Sequence, residues 1–185
     1  MLLARDIMSA NPTCVTPDES VQNVAQLMRE HHWGCIPVVK SQRDRTLVGI
    51  VTDRDLAMRV LAPAKPPDTP VREVMSTGVS CCLDDSRIED VEQIMIQRQV
   101  RRVPVVDTAG VCTGIIALAD IARTALTDQS VGDSQVGRVV EYLSAPSDQA
   151  RSETEVGVYP ERLRLAIGVA EPWPEGARAP RQIVT

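Results

Sequence analysis

Apolar positions along the chain follow two alternating rhythms, and the series of rhythms occurs twice. Val21, Val24, Ala25, Leu27 and Met28 recur at helical spacing and predict an amphipathic helix that Asp18 or Ser20 can cap. Gly34 stands where a helix C′ residue belongs, with His31 and His32 in the last turn. Two short apolar runs follow, Cys35–Val39 and residues 47–51, which predict buried strands joined by the polar loop 40–45. Residues 54–61 predict a second helix. Upstream, residues 4–8 read as a short helical lead-in closed by the polar stretch 9–12, and residues 13–16 as a short strand stopped by Pro17.

The same order returns downstream. Residues 71–75 form a second lead-in and 80–83 a strand, and Ile88, Val91, Ile94 and Met95 mark a buried helix face. Residues 103–106 and 111–116 predict strands, and 119–126 a helix. At a constant offset, Arg5 matches Arg72, Met8 matches Met75, Ser9 matches Ser76 and Cys14 matches Cys81; Pro37-Val38-Val39 matches Pro104-Val105-Val106. This is a duplication, which must be read before the fold. Each copy is β-α-β-β-α, and neither buries its sheet alone, so the expected class is α+β with two packed repeats. The expected organisation is residues 1–62 as repeat one, 63–70 as linker, 71–126 as repeat two and 127–185 as a C-terminal region. Pro63, Pro66, Pro67 and Pro70 make the linker a stiff connector. In the last region Val136, Val139, Val140 and Leu143 mark one more helix. From Ser144 on, the polar, Pro-rich, charge-mixed chain predicts disorder or loose docking.

The most informative repeated stretch is Gly49-Ile50-Val51-Thr52-Asp53-Arg54-Asp55, with its degenerate copy Gly114-Ile115-Ile116-Ala117-Leu118-Ala119-Asp120. Each runs from a strand into a helix N-terminus, a place where backbone N–H groups can face a phosphate. Thr52 can donate to a phosphate or ribose oxygen, and Asp55 can accept from a ribose cis-diol. Gly49 would let the strand approach a base closely. Thr-x-x-Asp at a helix start is equally the pattern of a capping box, and the two roles are compatible. The second copy keeps Asp120 but has Ala117 in place of the hydroxyl. The two turns are therefore unequal, and the first is the expected ligand site. Arg101 and Arg102 precede the second Pro-Val-Val strand; if the repeats face each other, their guanidiniums reach phosphates of a ligand on the first turn. A solvated helix end is the plainer reading of that pair.

Composition narrows the function. With 2 Trp, 2 Tyr and no Phe, the chain lacks aromatic platforms for single-stranded nucleic acid, and a net charge of −5 disfavours a phosphate-backbone footprint. No run is long and apolar enough for a secretory signal or a membrane span, so a cytoplasmic protein is expected. The 5 cysteines then read as reduced, buried small hydrophobes, with a redox pair involving Cys14 or Cys35 as a minor alternative. His31, His32 and Cys35 are close in sequence, but adjacent histidines face different ways and no second ligand cluster exists, so no metal site is expected. No nucleophile elbow or phosphate-binding P-loop appears, and no enzyme activity or catalytic cofactor is expected.

The tandem units, Arg5-Asp6-Ile7-Met8, Ile36-Pro37-Val38-Val39, Gly49 to Asp55 and Arg101-Arg102-Val103-Pro104-Val105-Val106-Asp107 together resemble a pair of cystathionine-β-synthase (CBS) domains, or Bateman module. The resemblance covers residues 4–126. It implies a pseudo-two-fold module with clefts between its repeats, assembled as a homodimer, that senses an adenosine-containing ligand such as AMP, ADP, ATP or S-adenosylmethionine. By the same resemblance Thr52 and Asp55 hold ribose and phosphates, and Thr16, Ile36 and Pro37 lie along an adenine pocket with Gly49. Arg101, Arg102 and Asp120 complete the expected set. The alternative is a dimerisation or protein-interaction scaffold with vestigial clefts and an unknown protein partner; a redox- or metal-responsive switch is more distant.

Overall fold

The computed structural model describes residues 1–127, arranged as two pseudo-equivalent α+β units. In chain order these contain α1 (Ala4–Ile7), β1 (Ser9–Ala10), α2 (Val21–His31), β2 (Cys35–Val39), β3 (Leu47–Thr52) and α3 (Asp53–Leu56). Then come a π-helical turn (Ala57–Leu61), a 3-10 turn (Val71–Glu73), β4 (Cys82–Leu83), α4 (Ile88–Arg98), β5 (Arg102–Val106), β6 (Cys112–Ala117) and α5 (Leu118–Thr127). The helix expected from Val136 to Leu143 and the tail from Ser144 lie outside the described residues.

Each sheet is built on one antiparallel hairpin, β2–β3 in the first unit and β5–β6 in the second. In the second unit β1 joins β6 and β4 joins β5, giving the order β1-β6-β5-β4. In the first unit the outer positions shrink to single bridges, Ser76 on Ile50 and Val15 on Val38. The strand expected at 13–16 is thus one bridged residue, and that at 80–83 is the two-residue β4. Pro17 and the turn at residues 17–19 leave no length for more.

The lead-ins are exchanged between the units. Ala4 is buried with Cys82, Val91, Met95 and Ile116 of the second unit, while Val71 and Val74 are buried with Val15, Val24, Ile36 and Val51 of the first. The anchoring hydrogen bonds repeat the exchange. Ala4 and Arg5 donate to the carbonyls of Ser86 and Asp84 at 2.8 and 3.0 Å; Val71 and Arg72 donate to those of Glu19 and Pro17 at 2.8 and 2.9 Å. Neither hydrophobic core is complete without the other repeat's lead-in. At roughly 1.5–3 kcal/mol for each large aliphatic side chain buried, this exchange ties the two units together.

The helix signals resolve to particular residues. Ser20 caps α2, its hydroxyl accepting from Asn23 N–H at 3.2 Å, whereas Asp18 ion-pairs with Arg72 of the exchanged lead-in. The left-handed residue ending α2 is His32 (φ 56°), not Gly34, and its counterpart ending α4 is Gln99 (φ 53°). Gly34 instead keeps space for a side chain from the second unit. The linker is more than an extended spacer. Thr69 and Pro67 carbonyls accept from Val21 and Gln22 at 2.9 and 3.0 Å, fastening it to the start of α2.

The repeated glycines serve the exchange. A Cβ on Gly49 would stand 2.8 Å from Met75 Sδ and 3.0 Å from the Ser76 carbonyl oxygen. One on Gly114 would run into Met8, with Cγ at 2.9 Å and Cβ at 3.1 Å. The pairing of Met8 with Gly114 and of Met75 with Gly49 accounts for both matched residues in each repeat. Gly49 therefore admits Met75 from the exchanged lead-in.

Candidate functional site

Both strand-to-helix turns are locally satisfied. Thr52 Oγ1 accepts from Asp55 N–H at 3.1 Å and donates to Asp55 Oδ2 at 2.7 Å, while Thr52 N–H donates to the same oxygen at 2.9 Å. This is the reciprocal capping box. Asp55 Oδ1 pairs with Arg59 at 3.2 Å, and Arg59 also donates to the Val74 carbonyl at 2.7 Å and to Ser76 Oγ at 3.2 Å. The first turn is thereby sewn to the exchanged lead-in. In the second turn Ala117 N–H still donates to Asp120 Oδ2 at 2.7 Å, and Asp120 Oδ1 pairs with Arg123. Half of the box survives the loss of the hydroxyl.

A cleft of about 600 Å³ opens between the repeats on the second turn. Its walls are the β6–α5 turn (Ile115, Ala117, Asp120, Arg123), residues 9–13 of the exchanged N-terminal segment, and His32, Trp33, Gly34, Cys35 and Pro37 of the first unit; Arg102 completes it. Thr52 and Asp55 do not line it. Asp120 is placed there because the antiparallel β5–β6 register sets Arg102 opposite Ala117, while the Arg101 carbonyl accepts from Leu118 N–H at 2.9 Å at the start of α5. The Gly34 carbonyl does the same for Asp53 N–H at 3.2 Å.

Arg102 reaches from β5 over Gly34, where an added Cβ would stand 2.9 Å from its Nη2 and 3.2 Å from Asp53 Oδ2. Its guanidinium makes no hydrogen bond or ion pair among the described residues. Burial pushes the Cys35 thiol up to about 11, with Arg102 pulling it back and Asp53 adding to the rise. Both charges thus face Cys35, which stays a neutral thiol in the cleft wall. Trp33 lies at the cleft and stacks on His31, with ring centroids 4.3 Å apart and planes at 18°. The arrangement combines an aromatic face, a helix-start carboxylate with 12% of its side chain exposed, and two guanidiniums.

Of the expected residues, Pro37, Arg102 and Asp120 come together in this cleft. Thr52 and Asp55 stay at their own turn, and Arg101 is exposed outside the cleft. Ile36 is fully buried in the first core and packs there with Val24, Val38 and Val51. Thr16 is likewise absent from the cleft; its carbonyl accepts from Glu19 N–H at 3.1 Å, closing the turn before α2. Sequence reasoning missed Trp33, His32 and residues 9–13. The signal was the repeat alignment itself: residues 34–35 match Arg101-Arg102, so the segment before β2 must face the second turn.

Two repeats that exchange their lead-ins and enclose an inter-repeat cleft define a paired two-repeat module. The chain belongs to the CBS-domain family, whose profile matches residues 4–62 and 71–126. It is similar to the CBS domain-containing protein YhcV of Bacillus subtilis (38% identical over 134 residues, 72% of this chain and 93% of YhcV). It is also similar to Hypoxic response protein 1 of Mycobacterium tuberculosis (38% over 124 residues, 66% and 85%). The structure of that protein with two coordinated zinc ions superposes with a TM-score of 0.60 at 36% identity, covering 66% of this chain and 98% of the other. CBSX2 in complex with AMP matches at 0.59 and 26% identity, covering 69% and 98%. The CBS pair of MJ0100 with 5-methylthioadenosine and S-adenosyl-L-methionine matches at 0.61 and 28%, again over 69% and 98%. Among the described residues of this chain no three His, Cys, Asp or Glu side chains gather as a metal cluster, and no helix is long and apolar enough to cross a membrane.

Proposed function

We propose that the chain is a non-catalytic regulatory module that binds an adenosine-containing nucleotide in the inter-repeat cleft over Asp120. The observation that carries this reading is the cleft of about 600 Å³ with Asp120 at its floor and Arg102 and Trp33 on its walls. Its size suits a nucleotide-sized ligand. Asp120 offers a ribose cis-diol its carboxylate, since Oδ2 is already fixed by Ala117 N–H and the helix start holds its orientation. Trp33 and Ile115 supply apolar faces for a purine, and Arg102 and Arg123 supply charge for a phosphate. The complexes of related CBS pairs with AMP and S-adenosyl-L-methionine support this ligand class. Because both units contribute to the walls, occupancy would favour one angle between them, and that differential affinity is the means of signalling.

The test is a thermal-shift series with AMP, ADP, ATP, S-adenosylmethionine and NAD at millimolar concentration. Asp120→Ala should abolish stabilisation and Asp55→Ala should retain it, since only Asp120 lines the cleft. Stabilisation by none of the five would leave the scaffold reading, in which clefts satisfied by their own helix caps serve only assembly.

A further inference from the structure

Away from the nucleotide cleft, the seam between the repeats buries two thiols from different units in one small cluster. Cys14, ahead of α2, and Cys112, at the start of β6, are 4% and 1% exposed and pack together with Val39 and Leu47. Arg45, from the loop between β2 and β3, serves both sides. Its Nη2 donates to Cys14 Sγ at 3.4 Å and to the Pro12 carbonyl at 2.9 Å, and its backbone carbonyl accepts from Cys112 N–H at 2.9 Å. Thr46 bridges Val111, and Leu47 N–H donates to the Gly110 carbonyl at 3.0 Å, so the two hairpins hold the thiols in register.

The other cysteines lack this setting. Burial raises Cys35 and Cys81 to about 11 and Cys82 to about 12. Cys14 moves the other way. Hydrogen bonding with the Cys112 thiol lowers it most, burial opposes, and the Arg45 charge lowers it further, while the same contact raises Cys112. A guanidinium beside a thiol favours its thiolate, and a second thiol in the same cluster is placed to resolve it. With the two cysteines at 4% and 1% exposure, peroxide reaches them when the seam between the repeats opens.

We propose that Cys14 and Cys112, gathered by Arg45 at the inter-repeat seam, form a peroxide-reactive thiol pair that closes to a reversible disulfide between the units. The Cys14 thiolate attacks one oxygen of hydrogen peroxide, the O–O bond breaks, and the departing hydroxide takes up a proton as water. Cys112 sulfur then displaces hydroxide from the Cys14 sulfenic acid. The S–S bond forms, and the Cys112 proton leaves with the hydroxide as a second water. Two electrons pass from the thiols to the peroxide. A dithiol reductant reverses the bond.

The full chain, reduced and then treated with hydrogen peroxide, is alkylated and mapped by mass spectrometry without reduction. A Cys14–Cys112 linked peptide should appear, two of the 5 thiols should escape alkylation, and dithiothreitol should restore both. Cys112→Val, which keeps an apolar side chain in the cluster, should leave Cys14 as a sulfenic acid that dimedone traps. Arg45→Gln should slow oxidation roughly tenfold by withdrawing the charge beside the nucleophile. Full alkylation of every thiol after peroxide would overturn the proposal. So would a link confined to Cys81–Cys82, a Cys14 link only between two chains, or an oxidation rate unchanged in Arg45→Gln.

Discussion

Met75 lies across the bare Cα of Gly49, so that a methyl group there would stand 2.8 Å from its Sδ and 3.0 Å from the neighbouring Ser76 carbonyl oxygen. The thioether can move aside; the carbonyl cannot, because Ser76 and Ile50 exchange backbone hydrogen bonds at 2.8 and 3.0 Å. Gly49→Ala should therefore destabilise by about 1–3 kcal/mol, the usual cost of overpacking. Gly114→Ala should lose more, since three atoms of Met8 crowd that position. Urea denaturation of the two variants reads the difference, and a neutral Gly114→Ala would mean that the lead-ins are not locked into the opposite units.

The two turns differ by one hydroxyl, and substitution can exchange them. Thr52→Ala removes the hydroxyl that accepts from Asp55 N–H and donates to Asp55 Oδ2, while leaving the backbone bond to that carboxylate. A loss of about 1 kcal/mol is expected, as for a removed N-cap. Ala117→Thr should recover part of that amount by completing the box with Asp120. The midpoints of chemical unfolding should move in opposite directions; movement in the same direction would count against the box as the difference between the turns.

Arg102 separates the parts of a bound nucleotide. Arg102→Gln keeps a polar, unbranched side chain but removes its charge, so AMP should bind roughly tenfold more weakly while 5-methylthioadenosine, which has no phosphate, binds unchanged. Isothermal titration with the two ligands gives the comparison. Equal weakening of both would assign Arg102 to the cleft's shape instead of to phosphate.

Alkaline pH should weaken the fold through its buried thiols. Cys35 and Cys81 are raised from 9.0 to about 11, and Cys82 to about 12, chiefly by burial. A folded-state value above the unfolded one means the neutral thiol is favoured in the fold. That stability is whole below pH 9 and is lost as pH rises through 11 and 12. Cys14, shifted downward, has the opposite sign. Thiolate absorbance near 240 nm should appear for one sulfur well before the other four, since Cys112 is raised as well, while the chain stays folded. Simultaneous ionisation of all the thiols near pH 9 would contradict the burial.

Much of this architecture was legible because the duplication repeats its local signals. The α2 face, the Pro-Val-Val strands and the Thr52–Asp55 cap each follow from neighbours within a few residues, and the structure has them where periodicity and capping chemistry place them. Gly34 shows the limit of that reading. As a glycine after a helix it looked like a C′ residue, yet His32 takes the left-handed conformation and Gly34 leaves room for Arg102 from the other repeat. A local rule cannot report a neighbour many residues away.

The sequence by itself determined the two-fold repetition, the α+β elements and the pair of acidic helix starts, because these rest on short-range spacing and hydrogen bonding. Only the tertiary structure decided which lead-in completes which core, and that a cleft between the repeats forms over Asp120. It also decided that Trp33 and Arg102 meet there while Cys14 and Cys112 meet at the seam. Each of these is a contact between the repeats, set by the packing of buried faces that no single repeat can close alone.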